Sequence, residues 1–87
     1  MALLVDRAVW PGHGRMWCHL VSDHSLEELH AFAARVGLPP RAFERDHYDV
    51  PAEQRPEVVA AGALEVSSRD LVARLTAAGL RRPKHRR

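Results

Sequence analysis

A chain of 87 residues with 46% hydrophobic and 28% charged residues has the composition of one small globular domain, which excludes a multidomain enzyme and a disordered polymer. Its single cysteine, Cys18, excludes an intrachain disulfide framework, and no apolar run approaches the ~20 residues of a membrane span. The net charge of +2 is uneven: residues 81–87 hold five of the thirteen Lys and Arg, while residues 1–80 set eight Arg against eleven Asp and Glu, a net of −3.

Ala2-Leu3-Leu4-Val5 reads as a short buried strand ending at Asp6. Trp10-Pro11-Gly12-His13-Gly14 reads as a loop, because a proline and two glycines punctuate it. Residues 16–21 read as a second strand whose alternation puts Met16, Cys18 and Leu20 on one face and Trp17, His19 and Val21 on the other. Ser25-Leu26-Glu27-Glu28 matches a capping box, in which hydroxyl and carboxylate each satisfy an orphan backbone N–H. The helix it opens gathers Leu26, Leu29, Phe32, Ala33 and Val36 on one face, leaves His30 at the boundary of that face, and ends at Gly37.

Leu38-Pro39-Pro40 interrupts the chain, and residues 41–44 read as one helical turn with Phe43 pointing inward. Asp46-His47-Tyr48-Asp49 reads as a short extended or loop segment, with Asp49 as the cap of a helix over residues 51–61. Pro56 would cost ~3 kcal/mol inside that helix, so the helix either kinks or starts at Glu53. Ala63-Leu64-Glu65-Val66 reads as a third strand, and Ser67 caps a last helix that stops at Gly79. The expected class is α/β: a small three-stranded sheet with three or four packed helices, in the order β-β-α-(α)-α-β-α. The long helical connection before the third strand suits a parallel crossover, whereas the ten residues from Asp6 to Arg15 favour a hairpin between the first two strands. Residues 1–79 form one domain and residues 80–87 a basic, disordered tail. Without disulfides or a signal-like segment, a cytoplasmic protein with no membrane contact is expected.

Five of six histidines fall in the body (His13, His19, His24, His30 and His47), alongside Asp6, Asp23, Asp46 and Asp49. Imidazole and carboxylate are the usual ligands of zinc and similar ions, although no closely spaced metal motif is present. Each residue also has a plainer role open to it. His19 is explained as well by a half-buried strand histidine bonded to backbone, His30 by cover for the sheet edge, and Asp49 by the helix cap. Ser25 and Ser67 are read as caps, Cys18 as core, and Trp10 and Trp17 as packing with base stacking as the alternative. Arg15 and Arg55 could hold an anion bidentately or make surface ion pairs.

The run Val5-Asp6, then Gly14-Arg15-Met16-Trp17-Cys18-His19-Leu20, Asp23, Glu28-Leu29-His30-Ala31-Phe32-Ala33, His47-Tyr48-Asp49, Arg55 and Gly62-Ala63-Leu64-Glu65-Val66 resembles the DUF4031 family, short bacterial and phage proteins without an assigned activity. The resemblance covers roughly residues 3 to 75 and implies that His19, Asp23, Glu28, His30, His47, Tyr48, Asp49 and Arg55 belong to the family's pattern. It brings no catalytic roles. Arg7 stands where family members often carry a second acid after the first strand, and Pro56 departs from the pattern as well.

Three functional readings follow. In the first, His19, His30, His47 and Asp49 bind a divalent metal, zinc or manganese, with Asp6, Asp23 and Arg15 behind them, and His47, Asp49, Tyr48 and Arg55 serve a hydrolytic reaction. In the second, a metal-free acid–base site uses His47 or His19 as base and Arg15 and Arg55 for a phosphoester. In the third, the protein is a non-enzymatic adaptor or nucleic-acid accessory whose basic tail attracts nucleic acid or an acidic partner. Substrate and oligomeric state are left open by the sequence.

Overall fold

The structure, a computed structural model, describes residues 2–82. In chain order the strands are β1 (Leu3–Val5), β2 (Trp10–Gly12) and β3 (Arg15–Ser22), followed by helix α1 (Leu26–Arg35). Then come β4 (Phe43–Glu44), β5 (His47–Pro51), α2 (Arg55–Ala60), β6 (Leu64–Glu65) and α3 (Ser68–Ala77), with single 3-10 turns at Pro40–Ala42 and Ala52–Gln54. The α/β class holds, but the expected three-stranded sheet is corrected to a mixed sheet of six strands among the described residues. Its order is β4-β5-β3-β1-β6, with β2 also paired to β3.

The additional strands come from short segments: β2 and β4 have too few residues to show apolar alternation, and β5 alternates over only two apolar residues, Tyr48 and Val50. The stretch read as a loop at Trp10 instead forms β2, which pairs Gly12 with Arg15. His13 and Gly14 turn the chain with φ of 51° and 76°, the two positive values that let a two-residue hairpin follow the twist of its strands. A second tight hairpin joins β4 to β5, pairing Glu44 with His47. Asp49 therefore lies within a strand and does not cap a helix. Pro56 falls in the first turn of α2, where its missing N–H has no intrahelical partner to lose, so the helix starts at Arg55 and needs no kink.

β1 runs antiparallel to β3, with Leu3 opposite Ser22, and parallel to β6. The first two predicted strands thus pair in the expected sense, with β2 inserted into the connection. Asp6 and Asp23 consequently sit at opposite ends of the sheet. Asp23 accepts from the Ala2 N–H at 2.6 Å and lies 3.7 Å from Arg74.

Alternation along the sheet gives it two covered faces. Val5, Cys18, Leu20, Tyr48 and Val50 point to one face and pack under Leu29, Phe32 and Ala33 of α1 and Val58 of α2. Leu4 and Val21 point to the other and meet Leu71 and Leu75 of α3. Full burial of a Leu or Val side chain contributes about 1.5–3 kcal/mol, so both small clusters are needed to hold a sheet of such short strands. At α1 the Ser25 hydroxyl accepts from the Glu28 N–H as the capping box requires, but Glu28 does not reciprocate. Its carboxylate accepts from the Ser22 hydroxyl at 2.6 Å, and Ser22 in turn accepts from the His24 and Ser25 N–H groups. After α3, Leu80 packs beside the Leu71 and Leu75 cluster, and the Arg82 N–H donates to Asp46. Residues 83–87 of the expected tail lie outside the described residues.

Candidate metal centre

Three side chains converge on the sheet face covered by α3. β3 and β5 pair His19 with Asp49, and His47 stands two residues before Asp49 on the same face of β5. One nitrogen of each ring and one Asp49 oxygen all lie within 4.8 Å of one another. The rings meet edge to face with centroids 5.0 Å apart, and Trp10 lies against the outer side of His19 at 5.4 Å.

Each ring is anchored from behind by a buried acid. Asp6, at the end of β1, is fully buried. It accepts from the His19 N–H at 2.6 Å, from His19 Nδ1 at 2.9 Å and from the Ser68 hydroxyl of α3 at 2.8 Å. Burial by itself would raise the Asp6 pKa, but the hydrogen bonds from His19 and Ser68 outweigh it and hold the carboxyl below its ordinary value. The same bond to Asp6 raises the His19 pKa, against the opposing effect of burial. Asp46, in the β4–β5 turn, accepts from His47 Nδ1 at 2.8 Å and from the Arg82 N–H at 2.8 Å, with the Arg81 guanidinium at 3.5 Å. Burial again opposes ionisation, and again these partners hold the pKa low.

His47 shows what the arrangement demands. Its Nδ1–H is committed to Asp46, while its Nε2 lies 3.2 Å from an Asp49 oxygen. A neutral ring has only one N–H, so this contact sets a nitrogen lone pair against a carboxylate. A proton shared between the two atoms, or a cation held by both, would make it favourable. His19 has Nδ1 likewise bonded to Asp6, which leaves its Nε2 on the side of His47 and Asp49.

The other candidates lie elsewhere. His30 is separated from the group by the sheet: its Nδ1 bonds the Tyr48 hydroxyl at 2.7 Å, and Tyr48 is buried on the α1 face. His30 therefore does not complete a four-ligand set, and Tyr48 does not reach His47 or Asp49 from that face. Burial raises the Tyr48 pKa. Arg55 donates through Nε to the Asp6 carbonyl at 2.8 Å and pairs with Glu65 at 3.0 Å, which ties β1 to β6 and does not face the histidines. Asp23 is at the far end of the sheet. Arg15 lies over the Trp17 ring at 5.9 Å and does not back any of the three side chains. Cys18 is buried on the α1 face, its thiol pushed up to about 11 mainly by burial, and it is chemically quiet there.

Sequence reasoning counted Asp46 among the acids but gave it no role, and it passed over Ser68. The first precedes His47 in a turn, so strand alternation says nothing about its direction. The second follows the capping Ser67, and only the packing of α3 on the sheet brings it to Asp6.

Two hollows meet at His19. A cleft of about 610 Å³ is bordered by Trp10, Arg15, Trp17, Arg41, His19 and Asp49, among others. A pocket of about 170 Å³ under α3 is bordered by Asp6, His19, Asp46, His47 and Ser68.

Residues 3–78 match the family model described as Protein of unknown function (DUF4031). The chain belongs to this family. No curated protein and no solved structure matches it. The matched span includes β1 through α3, so every member of the His19, His47, Asp49, Asp6, Asp46 and Ser68 group lies within the DUF4031 region, and the Arg81 and Arg82 contacts lie beyond it.

Proposed function

We propose that the protein binds a divalent transition-metal ion through His19, His47 and Asp49, and that the ion serves hydrolysis of a substrate in the adjoining cleft. The observation that carries this reading is the paired anchoring of the two rings by buried Asp6 and Asp46. A ligating histidine characteristically gives its other ring N–H to a carboxylate, which fixes the tautomer and the ring direction. Zinc bonds of ~2.0–2.2 Å at tetrahedral angles put ligand atoms ~3.4 Å apart. The His47–Asp49 separation of 3.2 Å already suits that spacing, and the widest separation in the group, within 4.8 Å, closes by side-chain rotation. Two imidazoles and one carboxylate suit zinc or manganese.

Three protein ligands leave a coordination position free, the feature that separates catalytic from structural zinc sites. The chemistry the ion supplies is a bound water acidic enough to act as hydroxide near neutral pH. The chain's own part is to hold the rings through Asp6 and Asp46 and to cover the outer side of His19 with Trp10.

The test is a thermal melt of the chelator-stripped protein with added zinc or manganese. A ligand at a hundredfold excess over its Kd stabilises the folded state by about 2.7 kcal/mol, a Tm rise on the order of 10 °C for a domain of this size. His47→Ala and Asp49→Ala should abolish the rise. The reading fails if neither ion moves Tm and the purified protein carries no stoichiometric metal. Hydrolysis of an activated phosphodiester that survived chelation would favour the metal-free acid–base alternative instead.

A further inference from the structure

We infer that the 610 Å³ cleft binds single-stranded nucleic acid, with a base stacked on Trp10 and backbone phosphates taken by Arg15 and Arg41. Trp10 is 45% exposed, although a residue of its size would ordinarily be covered in so small a protein. Its indole borders the cleft, against His19. Trp17 borders the same cleft, fixed by a hydrogen bond from its Nε1 to the Gly12 carbonyl at 2.8 Å and overlaid by Arg15.

The charges on the cleft point the same way. Arg15 and Arg41 both line it, and among the described residues neither lies within ion-pair distance of a carboxylate. Arg45, Arg55, Arg74 and Arg81 each have such a partner, whereas Arg7, Arg35, Arg69 and Arg82 also lack one among the described residues. What sets Arg15 and Arg41 apart is that both border one cleft beside exposed aromatic surface. Asp49, a proposed metal ligand, is the one carboxylate among the residues that line the cleft. Residues 1–80 are net acidic, so a cleft with two unpaired guanidinium groups is a local feature and not a general surplus of positive charge. Flat aromatic surface interleaved with free cations is the arrangement that binds single strands without reading sequence, because every base has a π-face and every nucleotide a phosphate. The volume lies in the range of a small-ligand site, room for one or two nucleotides at a time. The cleft is open to solvent. Seen this way, the substrate of the proposed metal site is a phosphodiester. The inference rests on that site for the reaction, though not for the binding.

Binding is therefore measured first with chelator present, on the full chain, by the fluorescence anisotropy of a labelled twelve-residue oligothymidylate. Trp10→Ala should weaken binding on the order of 10-fold or more, and Trp10→Phe should restore most of it. Arg15→Ala with Arg41→Ala should weaken binding and lower the slope of log affinity against log salt by about 1.4, at ~0.7 per phosphate contact on a single strand. Removal of residues 83–87 can lower affinity too, but the Trp10 dependence should persist. Binding unaffected by Trp10→Ala, thymidine monophosphate binding as tightly as the oligomer, or equally effective displacement by inorganic polyphosphate would each overturn the inference. Zinc uptake by the Arg41→Ala variant should equal that of the unmodified chain. Oligonucleotide binding in a protein that takes up no metal would remove the metal site and leave this inference standing.

Discussion

At Asp6 a single atom decides which nitrogen of His19 is available. Oδ2 accepts both from Nδ1 and from the Ser68 hydroxyl, while Oδ1 accepts from the His19 backbone N–H. Asp6→Asn has nearly the same shape, and its remaining oxygen can keep the backbone bond. Its NH2 group then faces Nδ1, and the ring satisfies it by becoming the Nε2–H tautomer. The serine hydroxyl rotates to accept. The fold thus loses about 1–3 kcal/mol at most, the cost of a partly satisfied buried polar group. The metal site loses more, because the nitrogen left for the ion is now protonated. Metal affinity should fall about 10–100-fold, the usual effect of replacing a carboxylate behind a histidine ligand. Competition with a chromogenic chelator measures this directly. Asp6→Asn with full affinity would mean that the Asp6–His19 bond serves stability alone.

At the level of elements, the β4–β5 hairpin carries the most information per residue. Its turn holds Arg45 at φ 55°, a left-handed conformation that costs a non-glycine residue on the order of 1 kcal/mol. The turn also places Asp46 behind His47. Arg45→Gly should match or exceed the original stability in urea unfolding, since the exposed bond it removes, to Glu44, is worth little. Arg45→Val, β-branched in the same conformation, should lose about 1–2 kcal/mol and weaken metal binding with it. Equal stability of the two variants would show that this turn is not strained. The same hairpin explains what the sequence could and could not disclose. α1 was legible because Ser25, five apolar positions at helical spacing and Gly37 agree with one another. β5 was legible only as an extended or loop segment, because only Tyr48 and Val50 mark its alternation and its turn lacks glycine. His19, His47 and Asp49 were legible as residue types in need of an explanation. That His30 belongs to the opposite side of the sheet was not, because nothing in a periodic helix says which face of the sheet it covers. The pairing of Asp6 with Ser68 spans 62 positions, and no local signal encodes such a contact.

For the molecule as a whole, the two buried acids and His19 set the pH range in which the metal-free protein is stable. Asp6 and Asp46 titrate below their ordinary values in the folded state. Their contribution is therefore complete above the unfolded value of ~3.9 and is lost as pH falls through the folded values. His19 titrates above its ordinary value. Its contribution is complete below the unfolded value of ~6.5 and is lost as pH rises through the folded one. Urea unfolding in the presence of chelator should give a stability maximum between roughly pH 4 and 6.5, with a decline on both sides. Asp6→Asn removes the bond that raises His19 and one of the two depressed acids. It should flatten the alkaline side of the curve and leave part of the acid side, which Asp46 still supplies. The two limbs thus separate the two anchors: the alkaline limb reports Asp6 with His19, and the residual acid limb reports Asp46 with His47 and Arg82. An alkaline limb of unchanged slope in the Asp6→Asn variant would place its origin in groups other than His19.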